Sequence, residues 1–181
     1  LDLGSQDPAT ITAEADRRGL ALRHAGAEII PFLDGRAAET IIRSAPVTAA
    51  VSAVAALPPV RDWVNRRLRE AAAAERLLVL DGRDIGTAVF PDAAVKIFLT
   101  ASPAARARRR LVQRGELFDS DQVLQEAAAL AARDRADAGR PVAPLRQAGD
   151  ALVVDTTDLT FREQVGQIVE WARKVLSDTG F

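Results

Sequence analysis

Cysteine and methionine are absent from the 181 residues, histidine occurs once, and only two of the 24 basic residues, Lys96 and Lys174, are lysines. Without cysteine there are no disulfides and no thiolate metal sites, so the fold stands on packing alone, a composition compatible with a cytoplasmic setting. No apolar run approaches the roughly 20 residues that cross a bilayer, and the N-terminus carries no signal-peptide pattern. The one histidine, His24, and Ser44 have no triad partner at a readable spacing, so His24 is expected to be structural. A net charge of −1 gives the surface no overall basic or acidic field, which argues against nucleic acid or a membrane as partner. The missing methionine extends to position 1, where the chain opens LDLGSQDPAT, and the sequence is expected to be part of a longer protein.

What is present is the composition of a soluble globular chain, 48% hydrophobic and 27% charged, long enough for one domain with a sizeable core. The preference for arginine suits phosphate and carboxylate recognition, although a GC-rich genome accounts for most of it. Helices are expected over PATITAEADRRG, with Asp7 capping and Pro8 in the first turn, and over PVTAAVSAVAAL and PVRDWVNRRLREAAAAE, each opening on proline. The last is amphipathic through Val60, Val64 and Leu68, and Trp63 and Trp171 fall at core spacing in helices. EIIPFLDGR reads as a strand and turn, on an edge because of Pro31. The uninterrupted runs LLVL, VKIFL and ALVVD read as strands buried on both faces of a parallel sheet. They alternate with helices over SPAARARRRLVQR, DSDQVLQEAAALAARDRADA and TFREQVGQIVEWARKVL. The expected class is α/β, a parallel sheet flanked by helices, with ligands at the carboxyl ends of the strands.

Two clusters fall at those ends, DGRD at 81–84 and DTTD at 155–158. Asp81, ending a strand, is placed to hold Mg²⁺ through water rather than directly. Gly82 would let a phosphate approach the backbone, and Arg83 would clamp it bidentately. A tight turn with solvated charges is the competing reading. In RDRADAGR, Arg133, Asp137 and Arg140 stand at i, i+4 and i+7, so a continuing helix aligns them, either as a solvated surface salt bridge or as contacts to a phosphate and a ribose. Arg106, Arg109 and Arg110 gather on one helical face, where they would steady charge if a phosphoryl group moved nearby.

In order and spacing, AVSAVAALPPVR, LDGRDIGTAVFPDAAVKIFLTASP, RDRADAGRPVAPL and ALVVDTTDLT closely resemble the bacterial cytidylate kinases, a family of P-loop nucleoside-monophosphate kinases, over nearly the whole chain. The resemblance implies phosphoryl transfer from ATP to CMP or dCMP with Mg²⁺, by a cytoplasmic monomer. It implies that Ser52, Arg61 and Asp84 recognise cytosine, that Arg83 and Arg140 bind the acceptor phosphate, and that Arg133 and Asp137 contact its sugar. Asp81 matches the acid beside the metal, and Arg106, Arg109 and Arg110 match the arginines where a mobile lid begins. Residues 1–60 would form the monophosphate-binding part and 61–181 the rest of the core, with a short lid at about 107–122.

The chain departs from the family at its start: no GxxxxGK[ST] occurs in it, neither lysine follows a glycine, and the family's first helix and the early serine and arginine that help hold CMP have no match. The ATP-binding segment is expected to lie outside these residues, leaving the 181 residues alone inactive and a strand position vacant beside LLVL or ALVVD. The alternatives are a P-loop-less paralogue that binds nucleotides without catalysis, and an arginine-rich protein-interaction domain.

Overall fold

In the computed structural model, which describes residues 7–25 and 28–178, the chain divides between Leu80 and Asp81 into two units built on different sheets. The first unit turns on Asp34-Gly35. Both residues have positive φ, 51° and 75°, the requirement of the two-residue hairpin turn that an Asp-Gly pair favours. That turn folds β2 (Glu28–Leu33) onto the two-residue β3 (Arg36–Ala37), and β1 (Ala21–Ala25) pairs antiparallel with the other edge of β2. Pro31 is therefore in the central strand, not on an edge as expected. It is tolerated because its carbonyl points to the β3 side, where it accepts from Ala38, and the β3 ladder ends at Phe32, before a Pro31 N–H would be needed.

Helix α1 (Pro8–Arg17) begins on proline, with Asp7 at the cap position, but Asp7 contributes its backbone carbonyl and not its side chain. Two helices, α2 (Glu39–Ile42) and α3 (Ala45–Ala55), lead to α4 (Pro58–Ala73), which packs on α1. The buried stripe of α4 is Val60 and Trp63, whereas Val64 is exposed. Trp63 does pack as expected, with its Nε1 donating to Asp16 at 3.1 Å and Arg67 lying 5.3 Å from its ring centroid. His24 pairs with Glu75 at 2.6 Å, tying β1 to the chain just after α4.

The second unit is α/β, with a small parallel sheet. Strands β4 (Ile97–Thr100) and β5 (Leu152–Asp155) pair in parallel, Ile97 opposite Leu152 through Thr100 opposite Asp155. Between them run α5 (Pro103–Gln113) and α6 (Ser120–Ala138), and α7 (Phe161–Asp178) follows β5. Two expectations fail here. LLVL forms no strand, and Leu77 and Val79 are exposed, Val79 at 95%. An extended run becomes a strand only when a neighbour takes its backbone groups, and among the described residues none pairs with 77–80. Nor are β4 and β5 buried on both faces: Val154 is buried, but Leu99 and Val153 are exposed. Trp171 is likewise exposed on α7, with the Lys174 ammonium 5.8 Å from its ring centroid.

The core of the second unit lies in the α5–α6 hairpin. Ala107 and Leu111 of α5 meet Val123, Ala127 and Leu130 of α6. The hairpin is fixed at its turn by a capping box, in which the Asp119 side chain accepts from the Gln122 N–H and the Gln122 side chain accepts from the Asp119 N–H. Leu111 is 3% exposed and Leu117, in the connecting loop, 97%. Leu111→Ala should therefore lower unfolding free energy by about 2–5 kcal/mol. Leu117→Ala should stay within about 0.5 kcal/mol, both read by denaturant titration. Equal effects would show that the hairpin core does not carry the unit's stability.

Candidate functional site

The apolar stripe of α6 explains how its last turns come to face inward. Val123, Ala127 and Leu130 recur at helical spacing, and the same period continues to Asp134 and Asp137. Asp137 takes a core position: its side chain is 4% exposed. An ionised carboxylate at that depth requires charged partners and hydrogen bonds. It has two of them. Arg83 Nε donates to Oδ2 at 3.2 Å, and the Arg140 guanidinium pairs with Oδ1. The Asp137 carbonyl also accepts from the Leu145 N–H at 2.9 Å, so the PVAPL loop closes on the same residue.

The grouping differs from the stripe expected along one helix. Helix α6 ends at Ala138, and Arg140 lies beyond it, folding back three residues to reach Asp137. Arg133 is exposed on α6, and its place at the carboxylate is taken by Arg83 from the DGRD segment. The salt bridge is thus buried at its acid, not a solvated surface pair. Two guanidiniums around one carboxylate leave a unit of positive charge at its open side, where the Arg83 side chain is 46% exposed. That arrangement can take an anion with bidentate geometry.

Asp81 and Gly82 are exposed, and with LLVL in coil Asp81 does not end a strand. A Cβ at Gly82 would sit 2.7 Å from the Ile85 Cγ1, so what crowds Gly82 in this structure is the Ile85 side chain. Asp84 is buried, and its carbonyl accepts from the N–H groups of Thr87, Ala88 and Val89 as the chain enters a short π-helical segment, Ile85–Val89. Such segments are uncommon and concentrate at functional sites. In the first unit Ser52 lies on α3, with its side chain outside the described residues, and Arg61 lies in the first turn of α4, half-buried.

The three arginines of α5 diverge. Arg106 forms a two-pronged pair with Asp134, and Arg110 meets Glu126 at 3.1 Å, a carboxylate shared with Arg114. Arg109 instead donates to the Thr156 hydroxyl at 3.0 Å and to the carbonyls of Thr156, Thr157 and Leu159, bracing the turn after β5. That turn is DTTD, which does lie at the carboxyl end of a strand. Asp155 there accepts from the Thr157 hydroxyl and N–H, which hold its carboxyl below the usual range. The sequence reading missed Asp134 and Glu126. Asp134 was open to detection, because it continues the Leu130 position by four residues. Its carboxyl is held below the ordinary range chiefly by the hydrogen bonds from Arg106, with the charges of Arg106, Arg83 and Arg133 adding to the effect.

Among the described residues no three histidines, aspartates or glutamates gather as a metal cage. An exposed Asp81 fits a contact to a hydrated Mg²⁺ through water, and does not fit direct caging.

The family model for cytidylate kinase matches residues 9–174. The chain is 46% identical over 143 residues to the cytidylate kinase of Chromobacterium violaceum, covering 77% of this chain and 63% of that one. It is 42% identical over 162 residues to that of Nocardia farcinica, covering 90% and 70%. Against that of Mycobacterium avium it is 47% identical over 146 residues, covering 79% and 63%. The chain thus spans 63%, 70% and 63% of the length of these relatives.

Two outcomes follow from the geometry. Asp137→Ala leaves two guanidiniums without their buried counter-charge, so it should cost about 1–3 kcal/mol by denaturant titration, unlike an exposed pair worth under about 1 kcal/mol. An unchanged midpoint would mean that Asp137 is solvated. For Asp134 the sign is that of a depressed acid. Its contribution is present above the unfolded carboxylate pKa of about 3.9 and is lost as pH falls through the lower folded value. The unmodified protein should therefore lose stability more steeply below about pH 4 than Asp134→Asn does, and parallel curves would exclude the linkage.

Proposed function

The chain belongs to the cytidylate kinase family, and on that premise we propose that it serves phosphoryl transfer from ATP to CMP or dCMP, giving the diphosphate. The observation that carries this reading is the buried Asp137 with Arg83 and Arg140 on its two oxygens. Arg83 and Arg140 bind the acceptor phosphate, oriented in advance because Arg83 is already fixed by a charged hydrogen bond and Arg140 by an ion pair. Asp137 orients them and, with Arg133, meets the sugar. Asp84 accepts from the exocyclic amine of cytosine, a donor that uracil replaces with a carbonyl, and Ser52 and Arg61 are the further cytosine contacts.

Phosphoryl transfer asks the protein for positioning and for positive charge where negative charge develops. Arg106 and Arg110, at the start of a lid near 107–122, supply that charge, while Arg109 fixes the β5–α7 turn from which the lid is steadied. When bound with the nucleotide, Mg²⁺ would neutralise part of the phosphate charge, and Asp81 is the residue that would meet it through water. The assignment of residues 1–60 to monophosphate binding, a cytoplasmic location and a monomeric state complete the proposal.

A second reading is a nucleotide binder without transfer. A coupled assay on the full-length natural protein with CMP, dCMP, UMP and AMP decides between them: transfer to CMP and dCMP supports the kinase, and binding without transfer supports the second. Failure to bind any nucleotide removes both. Within the kinase reading, Asp84→Ala should shrink the CMP-over-UMP ratio of kcat/KM by about 1–3 kcal/mol, the worth of one charged hydrogen bond. An unchanged ratio would take cytosine selection away from Asp84.

A further inference from the structure

Asp134 stands one helical turn before Asp137 on α6. Its carboxylate receives both terminal nitrogens of Arg106, Nη2 at 3.1 Å on one oxygen and Nη1 on the other. The two residues are 28 positions apart, so the pair ties the first turn of α5 to the penultimate turn of α6. Their side chains are 31% and 29% exposed, and the pairing is two-pronged, which separates it from a mobile surface contact. Arg83, which donates to Asp137, is also close enough for its charge to act on Asp134. Residues three apart on a helix share a face. The end of α6 therefore presents two adjacent carboxylates, one gathering Arg83 and Arg140, the other holding Arg106.

We propose that Asp134 is a positioning residue for phosphoryl transfer, holding the Arg106 guanidinium one helical turn from the carboxylate that gathers the acceptor-phosphate arginines Arg83 and Arg140. The inference rests on the phosphate reading of Arg83 and Arg140 and deepens it. Arginine carries five N–H donors on a planar fork, and Asp134 engages two of its nitrogens, leaving others for a phosphate oxygen. A free arginine on a long stem must be ordered when the phosphoryl group moves. One already gripped by a carboxylate on a packed helix is ordered beforehand. Asp134 touches no reacting atom and acts only through Arg106.

The test uses the full-length natural protein, ATP and CMP, with kcat and KM for CMP measured for Asp134→Asn, Arg106→Ala, Arg106→Lys and the double variant Asp134→Asn/Arg106→Ala. Asp134→Asn should lower kcat by roughly 10- to 100-fold, the scale of a misplaced catalytic group, while KM for CMP moves by less than about threefold. In the Arg106→Ala background the same change should do nothing further, because a residue acting through another has no effect once that other is gone. Arg106→Lys keeps the charge and loses the fork, and should resemble Asp134→Asn. It reads the pair from its other side if Asp134→Asn does not fold, and a wild-type kcat there overturns the inference. So do losses that multiply in the double variant, or a kcat for folded Asp134→Asn within twofold of wild type. A wild-type protein that neither binds CMP nor transfers phosphate overturns the underlying reading and this one with it. Normal turnover in both wild type and Asp134→Asn overturns only this one.

Discussion

One buried carboxylate organises the second unit. Placing Asp137 where the α6 stripe faces inward commits the fold to supplying counter-charges, since an ionised acid removed from water is tolerated only when paired. The supply comes from two directions. Arg83 arrives from the DGRD segment and Arg140 from just past the helix end, while the Asp137 backbone carbonyl takes the Leu145 N–H. Two stretches 54 positions apart are thereby pinned at one residue, and the loop at Leu145 joins them through its backbone. The arginines gain fixed orientations from a residue that is itself immobilised in the last turn of α6.

The rest of the unit keeps that helix in place. The hairpin core of Ala107, Leu111, Val123 and Leu130 sets α5 against α6, and the ion pairs of Arg106 with Asp134 and of Arg110 with Glu126 flank it along the same pair of helices. Arg109 reaches the other way, to the carbonyls after β5, so α5 is tied both to α6 and to the carboxyl end of the parallel pair. Ser102 reinforces the link, its side chain capping α5 and its N–H donating to Thr157. The result brings the β-strand ends, α5 and the two arginines on Asp137 into one connected set of contacts.

Much of this was legible in the residues. Prolines at helix starts located α1, α3 and α4, and Asp34-Gly35 ended EIIPFL in a turn, because each acts through its own backbone geometry. Strand identity was less legible, since it depends on a neighbour: LLVL has the composition of a buried strand and lies in coil, while ALRHA, which carries little apolar signal, pairs with β2 along five positions. At the site, residue types and motifs were readable but pairings were not. Arg133 was expected beside Asp137 by helical spacing, yet Arg83, 54 positions away, is the one that arrives. Spacing reports neighbours along one helix and is silent on what another segment brings. The burial of Asp137 was within reach of the same periodicity, at Leu130 plus seven, had the acid been counted as part of the apolar stripe.

That position also bears on what the pair is for. A buried ion pair is a weak device for stability, because the cost of desolvating both charges offsets their attraction, and apolar side chains of similar volume often do as well. A leucine at 137 would extend the Val123–Leu130 stripe with no charge to satisfy. What an aspartate adds there is direction. It draws two guanidiniums to a single point, leaves a surplus positive charge on the exposed side of Arg83, and lets Asp134, one turn earlier, hold a third guanidinium close by. Such a set is poorly explained as cement and well suited to an anion with several oxygens, which is the physical ground for the proposal that this end of α6 meets the acceptor phosphate.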